Sequence, residues 1–161
     1  MSIFESSRYS QKMLSVLRIV AGSVFMSAGT MKLFGYPPSP VPMPPLKLFS
    51  EMWFAGVLET FGGLLIVLGL FTRPVAFVLA GEMAVAYFQV HFPQSPFPTV
   101  SNGTAAALFC FIYLYMTLAG GGAWGIDAWI ARARRPQPTG LDFGPRRQAS
   151  DESPAARVSA R

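Results

Sequence analysis

Residues 52–92, MWFAGVLETFGGLLIVLGLFTRPVAFVLAGEMAVAYFQVHF, form two apolar runs joined by the short basic segment Thr72-Arg73-Pro74. Each run carries one carboxylate near its middle, Glu59 in the first and Glu82 in the second. An ionised carboxylate in an apolar run costs several kcal/mol unless it has a cation or water beside it. The two acids therefore need a cationic partner, a proton or a polar pocket, which the rest of the chain must supply.

The composition predicts an integral membrane protein. Of the 161 residues, 52% are hydrophobic and only 13% are charged, against about 25% charged in soluble domains, and the mean hydropathy is +0.39. Four apolar runs approach the ~20 residues that a helix needs to cross a membrane, at residues 13–34, 52–71, 74–92 and 103–120. We expect an all-α, integral membrane four-helix bundle over residues 13–122.

The basic residues predict the orientation of the bundle. Arg8 and Lys12 precede the first run, Arg73 lies between the second and third, and the other flanks hold only Lys32 and Lys47. Five arginines follow the fourth run as far as residue 147: Arg132, Arg134, Arg135, Arg146 and Arg147. Because positive charge accumulates on the cytoplasmic side, both termini are expected in the cytoplasm. Residues 1–12 would then be a cytoplasmic or interfacial segment.

Two proline-rich loops, residues 35–50 and 93–99, would face outward and roof one end of the bundle. Six prolines exclude a regular helix from the first loop, and its apolar side chains favour a packed cap over a free linker. Residues 123–135 carry Trp124 and Trp129 among arginines, as in a helix lying among lipid headgroups. Residues 136–161 have the composition of a disordered cytoplasmic tail.

Several function classes have no support in the sequence. The net charge of +5 comes from residues that flank apolar runs, and no RNA- or DNA-binding motif is present, so no nucleic-acid partner is expected. Cys110 is the single cysteine, which excludes an intrachain disulfide, and we interpret it as a packed apolar residue. No Ser-His-Asp set, phosphate loop, dinucleotide fingerprint or metal-spaced cluster occurs, so the chain has no catalytic motif of its own and no metal site is expected.

Depth along the helices predicts two charge groups. Counting ~1.5 Å per residue, Arg18 and Glu82 both lie on the cytoplasmic half, whereas Glu59, Lys32 and His91 lie toward the outer ends. We therefore expect Arg18 near Glu82, and Lys32 near Glu59 with His91 as a further neighbour. Glu59 and His91 are the candidate catalytic residues.

Three interpretations of these charges remain open. The charges form ion pairs that only fix helix register, or they line a pocket for a quinone headgroup or a proton route, or they contact another subunit. His91 equally suits a helix-capping or interfacial role. Asn102 is expected to cap the fourth helix.

The ordered set of polar and small residues resembles the DoxX family of small four-span membrane proteins. The resemblance rests on Leu17-Arg18-Ile19, Gly22, Gly29, Lys32-Leu33-Phe34-Gly35, Glu59 with Gly62-Gly63, Gly69 to Arg73, Glu82-Met83 and Asn102-Gly103. It implies a four-helix membrane bundle with Arg18, Lys32, Glu59, Arg73, Glu82 and Asn102 at family-like positions.

The resemblance also implies a functional setting. The family takes its name from a subunit of an archaeal thiosulfate:quinone oxidoreductase, and some bacterial members are associated with membrane complexes of thiol redox defence. One departure is visible: many relatives continue Asn-Gly as Asn-Gly-Gly-Glu, whereas this chain reads Asn102-Gly103-Thr104-Ala105. The missing acid leaves Glu59 as the main carboxylate of the outward half.

The leading hypothesis is an accessory subunit, in the bacterial inner membrane, of a quinone-linked oxidoreductase system, with quinone as a candidate ligand and an oxidoreductase as partner. The alternatives are a non-enzymatic scaffold or assembly subunit and a small transporter. A quinone-sized cavity beside Glu59 or Glu82 would favour the first, whereas an interior closed by direct ion pairs would favour the second.

Overall fold

The computed structural model describes residues 3–40 and 42–134, with side chains from residue 8 onward. Within these ranges the chain is helical and contains no β-strand. The helices are α1 (Ile3–Phe34), α2 (Glu51–Val57), α3 (Gly63–Leu68), α4 (Thr72–Ala86), α5 (Thr104–Ala119) and α6 (Ile126–Ala133), with π-helical turns at Leu58–Gly62 and Tyr87–His91. The π turns join their neighbours into two continuous helical segments, Glu51–Leu68 and Thr72–His91.

Three stretches are long and apolar enough to cross a membrane: Arg8–Phe34, Glu51–Leu68 and Thr72–His91. A fourth apolar helix, α5, has 16 residues. The expected all-α fold is confirmed for the described residues, and the apolar runs fall on helices as predicted. Helix α1 begins at Ile3, well before the predicted start at residue 13.

The turn between the second and third segments lies earlier than expected. Gly69 ends α3 with φ +67°, and Phe71 has φ +49°, so the chain reverses at residues 69–71. Thr72, Arg73 and Pro74 already form the first turn of α4, where proline is tolerated because its missing N–H has no intrahelical acceptor.

Glycines allow α1 and the Glu51–Leu68 segment to approach closely. A Cβ atom on Gly22 would lie 3.0 Å from the Gly63 carbonyl oxygen, and one on Gly63 would lie 2.8 Å from the Met26 nitrogen. One on Gly29 would lie 2.8 Å from the Gly56 oxygen. Such small-residue contacts are the usual way for membrane helices to pack backbone against backbone, and they hold the end of α1 beside Glu59.

Helix α5 packs mainly on α4 and reaches α1 through aromatic residues. Phe25 of α1 lies edge-on to Tyr113 of α5, with ring centroids 5.0 Å apart, and tilted against Phe109 at 5.4 Å. The buried Tyr113 hydroxyl donates a hydrogen bond to the Ala21 carbonyl, 3.3 Å away. This cluster closes the bundle core on the side of α1 that faces α5.

Arg18 ties three parts of the chain together. Its side chain is 1% exposed and donates hydrogen bonds to the carbonyls of Ile66, Val67 (2.6 Å), Gly121 (2.9 Å) and Trp124. The last carbonyls of a helix have no intrahelical donor and carry partial negative charge. The Arg18 guanidinium thus caps α3 and fixes the loop that leads into α6.

Asp127 makes the complementary contact at the start of α4. Its carboxylate accepts hydrogen bonds from the backbone N–H groups of Phe71 (3.0 Å) and Thr72 (2.8 Å), while its own N–H donates to the Gly69 carbonyl at 2.8 Å. An acid at a helix N-terminus is favourable. Asp127 also attracts the Arg18 guanidinium, so α6 is held against the turn at residues 69–71 by two opposite charges.

Three expectations are wrong: the Arg18–Glu82 contact, the Asn102 cap and the packed proline-rich loop. Arg18 does not meet Glu82, because carbonyl groups occupy its donors and the carboxylate oxygens of Glu82 have no hydrogen-bond partner in the described part of the chain. Asn102 does not cap the fourth helix: Gly103 is the N-cap residue, and Asn102 is exposed with φ +57°.

The proline-rich loop does not form the expected apolar cap, since Tyr36, Leu48 and Phe49 are each about three-quarters exposed. Arg135, the predicted tail at residues 136–161 and the first two residues lie outside the described ranges.

We predict that Arg18→Gln destabilises the protein strongly. Each carbonyl left buried without a donor costs about 1–3 kcal/mol, so the loss is at least about 3 kcal/mol, or roughly 10 °C in the midpoint of thermal unfolding. The measurement is thermal unfolding in mild detergent. Arg73→Gln, which removes an exposed arginine, is the matched control and should change the midpoint little; equal shifts in the two variants would contradict the capping role of Arg18.

Candidate functional site

A groove of about 580 Å³ lies between the Glu51–Leu68 segment and α4. Four charged side chains line it: Lys32 from the end of α1, Glu51 from the start of α2, Glu59 from the first π turn and Glu82 from α4. Depth counting along the sequence assigns Glu59 and Glu82 to different halves of the bundle, but in the structure both acids line one site. Arg18 does not line it.

Lys32 and Glu59 form an ion pair at the inner wall of the groove. The Lys32 Nζ atom donates to Glu59 Oε1 at 2.6 Å, as expected from the sequence. Glu59 is 3% exposed, whereas Lys32 is partly exposed. The second carboxylate oxygen of Glu59, Oε2, is buried without a hydrogen-bond partner among the described residues.

Glu82 has no direct partner within the described chain. Both of its carboxylate oxygens are buried and unpaired, although Glu59 and Lys32 are close enough to act on it electrostatically. One lysine thus stands near two carboxylates. Buried polar groups are nearly always hydrogen-bonded, and an exception calls for an explanation such as a ligand or a catalytic role.

The π turn at Leu58–Gly62 places Glu59 in the groove. Interruptions of this kind inside α-helices occur frequently at functional sites. This one ends at the buried Gly62, and the buried Gly63 follows it. The Cβ of any larger residue at position 62 would approach the Leu79 side chain to 2.7 Å. The local chain therefore keeps the helix close to α4 while it turns the Glu59 carboxylate inward.

The outer wall of the groove is apolar and faces outward. Phe54, Leu58, Val78, Val85 and Val90 line it and are all exposed. In a membrane this surface would face the acyl chains. A site with charged groups inside and an apolar, laterally open wall suits an amphiphile whose polar head enters while its tail stays in the lipid.

The other predicted site residues lie elsewhere. His91 does not line the groove; its Nδ1 atom lies 2.9 Å from the Ser101 carbonyl oxygen and links the end of the second π turn to the following loop. Asn102 is exposed, as are Arg73, Arg132 and Arg134. Among the residues that the structure describes, no group of three or more His, Cys, Asp or Glu side chains could hold a metal ion.

Comparison with known proteins identifies the family. The DoxX family model matches residues 13–92, the region that contains Arg18, Lys32, Glu59 and Glu82. An uncharacterized protein of Haemophilus influenzae is 37% identical over 123 residues, which cover 74% of this chain and 92% of the relative. The chain belongs to the DoxX family. No solved structure matches this DoxX protein.

Sequence reasoning missed other polar residues of the site. Glu51 and Gln89 also line the groove of this DoxX protein. Gln89 lies seven residues after Glu82, which places both on one helix face, so a search for polar positions at helical spacing would have found it. Glu51 opens α2 and carries no comparable signal.

We predict that Lys32→Met destabilises the protein by about 1–3 kcal/mol. Removing the cation leaves the Glu59 carboxylate buried and unpaired, and the partial exposure of Lys32 reduces the cost from that of a fully buried pair. The double variant Lys32→Met/Glu59→Gln should recover part of this loss in thermal unfolding. Lys47→Met, at an exposed loop lysine, is the control; additive effects of the two substitutions in the double variant would show that the pair is not coupled.

Proposed function

We propose that this DoxX family protein is an accessory membrane subunit of a quinone-linked oxidoreductase system that acts on thiosulfate or thiols. The groove between the Glu51–Leu68 segment and α4 would bind the quinone headgroup. The observation that carries the proposal is the Glu82 carboxylate, which has no hydrogen-bond partner in the part of the chain that the structure describes and stands beside the Lys32–Glu59 pair in a groove with an apolar, exposed wall.

The residues of the groove suit a quinone in three respects. The Lys32 ammonium is a donor for a quinone carbonyl oxygen, and Glu59 and Glu82 are carboxylates that can hold or release protons at the same place. The wall at Phe54, Leu58 and Val85 can accommodate an apolar tail that extends into the lipid. A bound quinone would accept two electrons and two protons, and the electrons would come from the redox centre of a partner subunit.

The arrangement in the membrane is part of the proposal. We place this multi-pass protein in the bacterial inner membrane, with four spans that include α5, a DoxX-like domain over residues 13–122, residues 123–135 at the interface and both termini in the cytoplasm. Support comes from the apolar helices and from the basic residues Arg8, Lys12, Arg73 and Arg132, all near one predicted face.

A scaffold role without redox chemistry is the second candidate. One observation that favours it is the direct Lys32–Glu59 contact, which already neutralises the Glu59 carboxylate. The other is the exposure of the loop residues Tyr36, Leu48 and Phe49. These loop side chains offer an apolar surface to a partner on the outward side. In that case the two acids would serve only the stability of the bundle.

Quinone retention tests the redox proposal. The protein would be purified in mild detergent, and extracted lipids would be quantified by mass spectrometry for quinone per protein. We predict that the wild type retains quinone in its reduced quinol form and that Glu82→Gln lowers retention roughly tenfold, because a quinol hydroxyl donates to the Glu82 carboxylate and a hydrogen bond to a charged group contributes about 1.5–3 kcal/mol. Because Glu82 has no hydrogen-bond partner among the described residues, this variant should fold normally.

Lys47→Met provides the control for a charge change outside the groove, and wild-type retention is expected. Absence of quinone from the wild type, or equal retention in wild type and Glu82→Gln, would contradict the proposal. In cells, Glu59→Gln and Glu82→Gln should lower the activity of the host complex more than its abundance. A parallel loss of activity and abundance would favour the scaffold role.

A further inference from the structure

A second groove, of about 800 Å³, lies between the first turns of α1 and the segment that contains α6. Arg8 and Lys12 line it from α1, one helical turn apart, and Arg132 lines it from α6. Trp124 completes the wall beside these cations. Three positive charges from two parts of the chain therefore converge on one concave surface, far in sequence from Glu59 and Glu82.

Among the side chains that the structure describes, none that lines this groove balances its positive charge. None of its lining residues is acidic, and the one ion pair among the described side chains is that of Lys32 with Glu59. Arg132 donates through Nε to the Ala128 carbonyl at 3.2 Å and through Nη2 to the Ala123 carbonyl at 2.5 Å. These bonds hold its guanidinium in place and leave Nη1 without a hydrogen-bond partner among the described residues.

The groove also has the features of a membrane–water boundary. Trp124 is 49% exposed and Trp129 is 68% exposed, and tryptophan concentrates at the level of lipid headgroups because its ring is apolar and its N–H is polar. The Arg18 and Asp127 contacts fix α6 against the bundle. The cations therefore stand in a site that the fold holds in place, beside tryptophans of the kind that concentrates at headgroup level.

We propose that this groove binds the phosphate-bearing headgroup of an anionic phospholipid. Arginine and lysine donate charge-assisted hydrogen bonds to phosphate oxygens, and basic pockets beside membrane helices are suited to such headgroups. The acyl chains would lie along the exposed apolar residues of α1, among them Val16 and Val20. The proposal is independent of quinone binding, since the two grooves share no lining residue.

Lipid binding would be measured by native mass spectrometry of the full chain released from nanodiscs of phosphatidylcholine with or without phosphatidylglycerol. We expect wild type to retain phosphatidylglycerol in preference to phosphatidylcholine. The double variant Arg8→Gln/Lys12→Gln should bind about 25-fold more weakly, because each surface cation contributes about fivefold. These two side chains make no hydrogen bond in the described structure, and the one other contact given for them is the cation–π contact of Lys12 with the exposed Tyr9 ring.

Arg132→Gln and Arg134→Gln form a matched pair on the same short segment, because Arg134 is exposed and does not line the groove. Arg132→Gln should lower retention about fivefold, whereas Arg134→Gln should leave it unchanged. Equal effects of the pair would show attraction by net charge alone and overturn the proposal. Retention of both lipids alike, or displacement of phosphatidylglycerol by inorganic phosphate at equal concentration, would also overturn it.

Discussion

The buried guanidinium of Arg18 is the constraint on which the rest of the structure depends. A cation in an apolar bundle must be compensated, and here the compensation comes from the last carbonyls of α3 and from the loop before α6. This choice fixes the turn at residues 69–71, and Asp127 then completes it from the other side by capping α4. The C-terminal part of the described chain is thereby attached to the first three helical segments.

Because the Arg18 guanidinium binds carbonyl groups, it does not pair with Glu82. If Arg18 neutralised Glu82, the interior would consist of two closed ion pairs and would offer no polar site. Instead Lys32 is the single cation near both Glu59 and Glu82, and three carboxylate oxygens remain buried without partners in the described chain. The charge distribution separates a structural cluster around Arg18 from a groove that is open to a ligand.

Much of the fold follows from the sequence, because apolar runs, glycines and proline-rich loops depend on local chemistry. The Lys32–Glu59 pair was also predictable, since both residues lie near the same predicted end of their helices. The rotation of each helix about its axis could not be predicted from the sequence. Depth alone placed Arg18 beside Glu82, whereas the π turn and the helix ends decide which groups meet. Asp127 was missed because its role depends on a contact 55 residues away in sequence. The prediction that Asn102 caps the fourth helix was wrong, because Gly103 takes the N-cap position.

The groove beside Glu59 and Glu82, as we propose, receives a quinone headgroup from the lipid. Labelling with a photoreactive quinone analogue, followed by peptide mapping, locates the bound ring directly. We predict labels on groove residues such as Phe54, Leu58 and Val85, with competition by unlabelled quinone and loss of the labels in Glu82→Gln. Labels confined to other faces of the bundle, or labelling that Glu82→Gln leaves unchanged, would contradict it.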